Sequence, residues 1–456
     1  MTIPDLHALP ASFLFGASTA SYQIEGAVAA DGRGASVWDT FCAVPGRIRD
    51  GSSGAEACDH YHRYAEDVSL MKGLGLDGYR FSVAWPRVQP AGSGPVNPAG
   101  IAFYDRLVDE LLAAGIEPMA TLFHWDLPQP LEDAGGWLQR TTAERFGEYA
   151  AVVAEALGDR VTHWAPVNEP NVVTMLGYAT GVHAPGRSLM LDALPVAHHL
   201  LLGHGLAVQA LRTAGARSVG AANNHTPVWS ATDSDADREA AALYDTLWNR
   251  LFADPLLRGE YPAGFSDLMP GPVADDLRLM SAPLDFYGVN YYNPTRVAAV
   301  GTDLTPIAQT PSGDLPFVPV EIDGYERTGF DWPVVPDGLR DLLVSLHDDY
   351  GARLPPVMVT ENGCAYDDPP DPAGAVHDDR RIDYLRQHLQ AVAEAAAAGV
   401  DVRGYYTWSL LDNFEWAEGY TQRFGLVHVD YATQRRTPKD SYPWYARVIA
   451  DHRSRR

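Results

Sequence analysis

Two glutamates stand where a folded chain delivers chemistry to a surface. Glu169 closes the run His163-Trp164-Ala165-Pro166-Val167-Asn168, and Glu361 closes Val357-Met358-Val359-Thr360. Each run has the length and apolar content of a buried strand. Taken singly, a carboxylate in such a place is more often a salt-bridge partner or a solvated edge residue. Two carboxylates that open onto one pocket are another matter. They supply the proton donor and the nucleophile or base that cleavage of a glycosidic bond needs.

Whether the two meet depends on the elements that carry them. Short apolar runs recur at 13–20, 79–85, 118–125, 162–168, 218–225, 285–292, 356–361 and 402–411. Amphipathic segments at 61–74, 101–114, 142–157, 191–213, 336–350 and 378–398 lie between them. In the first, Tyr64, Val68, Met71 and Leu74 share one helical face. Strand and helix alternating in this way predict an α/β protein: a parallel sheet closed into one (β/α)₈ barrel, with residues 1–456 a single catalytic domain. Such barrels carry their reactive groups at the C-terminal strand ends, where Glu169 and Glu361 fall, on the fourth and seventh runs. Stretches 225–285, 293–335 and 365–376, rich in Asp, Pro and Gly, read as loop insertions at the barrel mouth.

Composition narrows the partners. With 46% hydrophobic and 20% charged residues the chain can bury a core, so disorder is excluded. Its 34 basic against 59 acidic residues give a net charge of −25, which repels phosphate backbones and anionic lipid. Neither nucleic acid nor membrane is expected, and neutral small molecules remain. No run nears the roughly 18 apolar residues of a membrane span, and no secretion signal opens the chain, so a cytoplasmic location is expected. Cys42, Cys58 and Cys364 show no CxxC spacing, which argues for free buried thiols in place of disulfides or a zinc cluster. His60-Tyr61-His62 and His198-His199 with His204 raise the alternative of a metal-dependent barrel hydrolase. A metal-binding His pair should finish a strand, whereas these lie in helical stretches and read as surface or packing residues. No metal and no cofactor is expected, and the sequence leaves the oligomeric state open.

Asn168-Glu169-Pro170 and Thr360-Glu361-Asn362-Gly363 resemble the two active-site signatures of glycoside hydrolase family one, the β-glucosidase family. The likeness extends to the stretch from Phe13-Leu14-Phe15-Gly16 to Gln23-Ile24-Glu25-Gly26, to Tyr79-Arg80-Phe81-Ser82 and to Phe123-His124-Trp125-Asp126. It continues through Gly288-Val289-Asn290-Tyr291-Tyr292 and Trp408-Ser409-Leu410-Leu411-Asp412-Asn413-Phe414-Glu415-Trp416. It implies a retaining exo-β-glycosidase acting on neutral β-linked di- or oligosaccharides and aryl or alkyl β-glycosides. Terminal glucosyl, galactosyl or fucosyl residues are the expected glycones and cellulose degradation the expected setting. By the same resemblance Glu361 is the nucleophile and Glu169 the acid/base, with Arg80, Asn290 and Tyr292 around the nucleophile. Arg80 and its neighbouring donors are expected to favour ionised Glu361, whose charge keeps Glu169 protonated. Asn168 grips the sugar 2-OH; Gln23, His124, Trp125, Glu415 and Trp416 hold the outer hydroxyls; Trp408 lies under the ring, with Phe424 on the same wall. Trp332 stands on the aglycone side, and Glu25 is left as structural.

Two departures bear on geometry. Pro166 removes a ladder N–H close to Glu169, and Phe330-Asp331 replaces the family's usual Met-Gly before Trp332. Within the family the rival is a 6-phospho-β-glycosidase, disfavoured because Glu415 would repel phosphate, Ala417 offers no hydroxyl and residues 415–430 contain no Lys. An S-glycosidase would carry Gln at the position of Glu169.

Overall fold

In the computed structural model, which describes residues 2–307 and 315–455, eight parallel strands close into a barrel. They are β1 (Leu14–Ser18), β2 (Gly78–Ser82), β3 (Glu117–Phe123), β4 (His163–Val167), β5 (Ser218–Asn224), β6 (Phe286–Asn290), β7 (Val357–Asn362) and β8 (Val402–Trp408). Each pairs with its sequence neighbours, and β1 closes the ring against β8, Leu14 opposite Gly404 through Ser18 opposite Trp408. Strands covered on both faces need continuous apolar runs, not alternation, and that is the pattern seen in the sequence.

The barrel interior is packed solid below the mouth. Met119, Ala165, Ala222, Phe286, Met358 and Tyr406 form one buried cluster with Leu14. Tyr406 reaches across this interior, and a Cβ on Gly16 would overlap its ring, so β1 must carry glycine there. The outer wall is built by helices His60–Leu74, Pro98–Ala113, Arg140–Leu157, Leu194–Thr213, Pro336–Tyr350, Asp379–Ala397 and Ser441–Arg453.

The stretch 225–285 departs from the loop reading. It holds a short strand Val228–Ser230, helix Asp235–Asp245, a π-helical turn Thr246–Arg250, helix Leu251–Leu257 and helix Val273–Met280. Val228–Ser230 joins Thr295–Ala299 and Phe317–Val320 in a small separate sheet. Pro255 lies inside helix Leu251–Leu257, and a proline with a π turn hides the 3.6-residue period from a sequence reading. Of the expected insertion 293–335, residues 308–314 lie outside the described residues. Cys58 and Cys364 are buried free thiols, but Cys42 is only partly covered.

Pro166 sits where the β4–β5 ladder is interrupted. Pairing runs His163 to Ser218 and Trp164 to Val219, then resumes at Asn168 beside Ala222. Beyond the proline, Glu169 N–H donates to the Ala222 carbonyl at 2.8 Å and Asn168 N–H to the Phe123 carbonyl at 2.9 Å. The missing donor therefore falls in the gap, and the backbone around Glu169 is pinned on both sides.

Candidate active site

A cavity of about 510 Å³ opens at the C-terminal strand ends. Glu169, just past β4, and Glu361, in β7, both line it. So do His124, Trp125, Tyr292, Trp332, Trp408, Glu415, Trp416 and Phe424. Gln23, Arg80, Asn168 and Asn290 do not line it; they are fully buried directly behind that wall, where they bond its residues. The site therefore has a contact surface and a hydrogen-bonded backing.

The two carboxyls are supported unequally. Glu361 Oε1 receives Arg80 Nη1 at 2.6 Å and its Oε2 receives the Tyr292 hydroxyl at 2.8 Å. Glu169 Oε1 receives amide donors alone, Asn290 Nδ2 at 2.8 Å and Asn224 Nδ2 at 3.0 Å. The same Asn290 amide holds down the proton affinity of Glu361. Glu169 and Glu361 are close enough that the charge of Glu361 raises the proton affinity of Glu169. Arg80 Nη2 also donates to Asn168 Oδ1 at 2.6 Å, and Thr360 Oγ1 to Asn290 Oδ1 at 2.6 Å, which locks Arg80, Asn168 and Asn290 in one orientation.

Burial dominates the electrostatics. It pushes Glu169 up to about 8, with Glu361 adding to the push, and it raises Glu415 to about 8, with Glu361 and Glu169 as further causes. Glu361 is raised as well, because burial outweighs the opposing pull of Arg80 and Tyr292. Arg80 and its neighbouring donors favour the ionised form as expected, but burial, which that expectation left out, is the larger influence. What Arg80 does is make Glu361 the better holder of negative charge in a coupled pair, since Glu169 has no cation in direct contact among the described residues.

The rest of the wall is braced by aromatic contact. Trp416 packs against Trp125 at 4.5 Å and Trp38 at 4.6 Å between ring centroids. Tyr292, Phe330, Trp332 and Phe424 form a second group, with Phe330 stacked on Trp332 at 4.3 Å and 14°. Glu169, Trp125 and Trp416 have left-handed backbones, φ 48°, 74° and 47°. Non-glycine residues adopt that region at a cost, and such residues gather at functional sites. Gly363 follows the strand of Glu361, and a Cβ there would overlap the Trp408 carbonyl, so a side chain would displace Glu361 itself.

Gln23 Oε1, behind the wall, and His124 Nδ1, on it, have no hydrogen-bond partner among the described residues, as is true of His183 Nδ1 further along the wall. The tautomer of His124 follows from its neighbours. Asn168 Oδ1 already accepts from Arg80 and Asn290, so its Nδ2 donates to His124 Nε2 at 3.0 Å. With the ring held neutral by burial and by Arg80, the proton is on Nδ1. One buried donor and one buried acceptor are thus left over at one end of the cavity. Gln23 Nε2 meanwhile donates to the Phe414 carbonyl at 2.9 Å and to Glu415 Oε2 at 3.3 Å.

The histidines of the metal alternative lie elsewhere. His60 is bonded to Asp67, His198 to Tyr261 and Asp276, and His199 to the Trp137 carbonyl. Among the described residues no group of three His, Cys, Asp or Glu is arranged to hold a metal ion, and no helix is long and apolar enough to cross a membrane. Glu25 is held by Arg87 and Tyr104, away from the cavity.

Comparison with known proteins agrees with this geometry. The model for glycosyl hydrolase family 1 matches residues 6–454. This chain belongs to that family. It is 49% identical over 456 residues to thermostable beta-glucosidase B of Thermobispora bispora, covering 97% of this chain and 90% of that protein. It is 44% identical to a bifunctional beta-D-glucosidase/beta-D-fucosidase of Bifidobacterium breve, over 98% and 99% of the two chains. The crystal structure of a psychrophilic beta-glucosidase from Micrococcus antarcticus superposes with a TM-score of 0.93 at 48% identity, covering 98% of both. The family 1 enzyme described here is therefore a β-glucosidase-type hydrolase of O-glycosyl bonds with a retaining mechanism.

One functional neighbour escaped the sequence reading. Asn224, at the end of β5, touches Glu169, and Trp248 touches Asn224. The signal was present in Asn223-Asn224-His225, three polar residues closing an apolar run, but an asparagine there has many structural uses.

Proposed function

We propose that the chain acts as one catalytic domain that removes terminal β-D-glucosyl residues, and β-fucosyl or β-galactosyl residues with them, by double displacement. An oxygen of Glu361 bonds to the anomeric carbon as the bond to the leaving oxygen breaks and Glu169 passes that oxygen its proton. Water then attacks the same carbon and gives a proton to Glu169, and the ester electrons return to Glu361. The observation that carries the reading is the unequal support of the two carboxyls in one cavity. A guanidinium and a phenol bind both oxygens of Glu361, while Glu169 Oε2 meets no donor among the described residues and can carry the proton. After ester formation the charge beside Glu169 is gone, and it falls toward the acidity a base needs.

His124 Nδ1 and Gln23 Oε1 suit a sugar hydroxyl, which donates and accepts at once. Trp408 serves as the ring platform, and Glu415 takes the outer hydroxyls. Hydrolysis of 4-nitrophenyl β-glucoside in an NMR tube, read before mutarotation, should show β-glucose first; α-glucose first would exclude the mechanism. A phosphate on O6 would add two negative charges beside Glu415, a carboxyl that burial and the nearby Glu361 and Glu169 already resist ionising, at a cost of several kcal/mol. The 6-phosphate of 4-nitrophenyl β-glucoside should accordingly be cleaved at least roughly 10³-fold less efficiently than the parent glycoside.

The outer half of the cavity supports aryl and alkyl aglycones alongside cellobiose. Met175, Leu176, Val182 and Leu191 line it, and Val182 and Leu191 remain 47% and 57% exposed. The Phe330 ring lies on Trp332, at the position of the Met in the family's usual Met-Gly. Phe330→Ala should raise KM for 4-nitrophenyl β-glucoside about 3- to 10-fold, the worth of one aromatic pair, with kcat little changed. An unchanged KM would remove Phe330 from the aglycone contact.

A further inference from the structure

We infer that Trp248 is a positioning residue for the acid/base step, acting through Asn224 to fix which oxygen of Glu169 holds the proton; this rests on the assignment of Glu169 above. A carboxamide has two ends of nearly equal shape, so packing alone does not decide which end faces a neighbour. Here chemistry decides it. Trp248 Nε1 donates to Asn224 Oδ1 at 3.1 Å, and because an indole N–H can only donate, it pairs with the carbonyl end alone. That turns Asn224 Nδ2 onto Glu169 Oε1 at 3.0 Å.

Trp248 is itself held in place. Tyr244 stacks on it at 6.0 Å and 10°. Its carbonyl accepts Asn171 Nδ2 at 3.3 Å, and the same Nδ2 reaches the Asn224 carbonyl at 3.0 Å. The segments that follow β4 and β5 are tied together at this point.

With Asn290 Nδ2 also on Oε1 at 2.8 Å, that oxygen is occupied by two donors and cannot present a hydrogen to either. The proton goes to Oε2, which faces no protein donor among the described residues. Were the Asn224 amide reversed, its carbonyl would oppose Oε1, disfavour the ionised carboxyl and draw the proton to the wrong oxygen. The charged and titratable groups facing Glu169 are Glu361, Arg80, Tyr292 and Glu415. Trp248 and Asn224 carry no charge, and both are only partly buried, so replacing them leaves that set intact.

The test is kcat/KM against pH for the unaltered enzyme, Trp248→Phe, Asn224→Ala and the double variant. The alkaline limb reports loss of the Glu169 proton in the free enzyme. Each single variant should move that limb upward by about 0.5–1 pH unit, the equivalent of one net hydrogen bond withdrawn from the ionised form. The double variant should match Asn224→Ala alone, because Trp248 acts through Asn224. Cellobiose turnover by Trp248→Phe at pH 7 should fall about 3- to 10-fold. kcat/KM for 2,4-dinitrophenyl β-glucoside, which reports only the first step and whose leaving group needs no proton, should hold. An unmoved limb in Trp248→Phe, or additive shifts in the double variant, overturns the inference. If Trp248→Phe does not fold, the limb of Asn224→Ala decides. Should Glu169→Ala keep the alkaline limb, the assignment of Glu169 itself is what fails.

Discussion

Glu361→Ala is expected to lose hydrolysis of 4-nitrophenyl β-glucoside by at least about 10⁵-fold, the scale on which an unrelated hydrolase feels loss of its covalent nucleophile. That corresponds to about 7 kcal/mol of barrier. No neighbour can substitute. Among the described residues the nearest carboxyl, Glu169, is held by Asn290 and Asn224, on the proton-donating side of the pair. The variant should still accept α-glucosyl fluoride. In that substrate the leaving group occupies the face that Glu361 vacates, and Glu169 can take the proton of an acceptor hydroxyl as it attacks. Fluoride departs, a β-linked disaccharide forms, and nothing remains to cleave it. Arg80, left in place with its 2.6 Å partner removed, also offers a seat to a small carboxylate, so formate should restore part of the hydrolysis. Retained hydrolysis in a correctly folded Glu361→Ala protein would sink the assignment.

Glu169→Ala divides substrates by leaving group. Cellobiose, whose departing oxygen must be protonated, should slow by about 10³- to 10⁴-fold, near the upper limit of what general acid catalysis contributes. For 2,4-dinitrophenyl β-glucoside the first step should survive and the second become limiting, because no base activates the water. Azide needs no base and should raise kcat while yielding β-glucosyl azide. The pH profile follows from the same carboxyl. With Glu169 at about 8, kcat/KM should fall as pH rises through that region, since the departing group then finds no proton. Glu169→Ala should abolish this limb for activated substrates. The raised value has a further sign: the folded state binds a proton that the unfolded chain releases near 4.5. Stability from this group thus declines between about pH 4.5 and pH 8, and Glu169→Gln should be more stable than the parent at pH 8. A lower melting temperature for Glu169→Gln at that pH would contradict the burial argument.

Strand ends were the most legible feature of the sequence, because a strand covered on both faces leaves an unbroken apolar run and the first polar residue after it marks the mouth. Glu169, Glu361, Asn290 and His124 all announce themselves in that way. The helices after β5 did not, since Pro255 and the π turn Thr246–Arg250 break the period on which such a reading depends. The last helix, Ser441–Arg453, carries Pro443 near its start and was likewise passed over. Division of the site residues into wall and backing was invisible too. Gln23 and Asn168 share motifs with residues that line the cavity, and only packing decides that they stand behind it. The role of Trp248 depends on the direction of one amide, which no residue pattern encodes.

Ring closure between β1 and β8 has a kinetic corollary. Gln23 meets Asn413 and Phe414, and Leu14 lies opposite Gly404, so one side of the pocket is assembled from the two extremes of the chain. Contacts this distant in sequence form late and slowly. After dilution from denaturant, helical circular dichroism should therefore return before catalytic turnover, and the delay between them measures the time the first and last strands need to find each other.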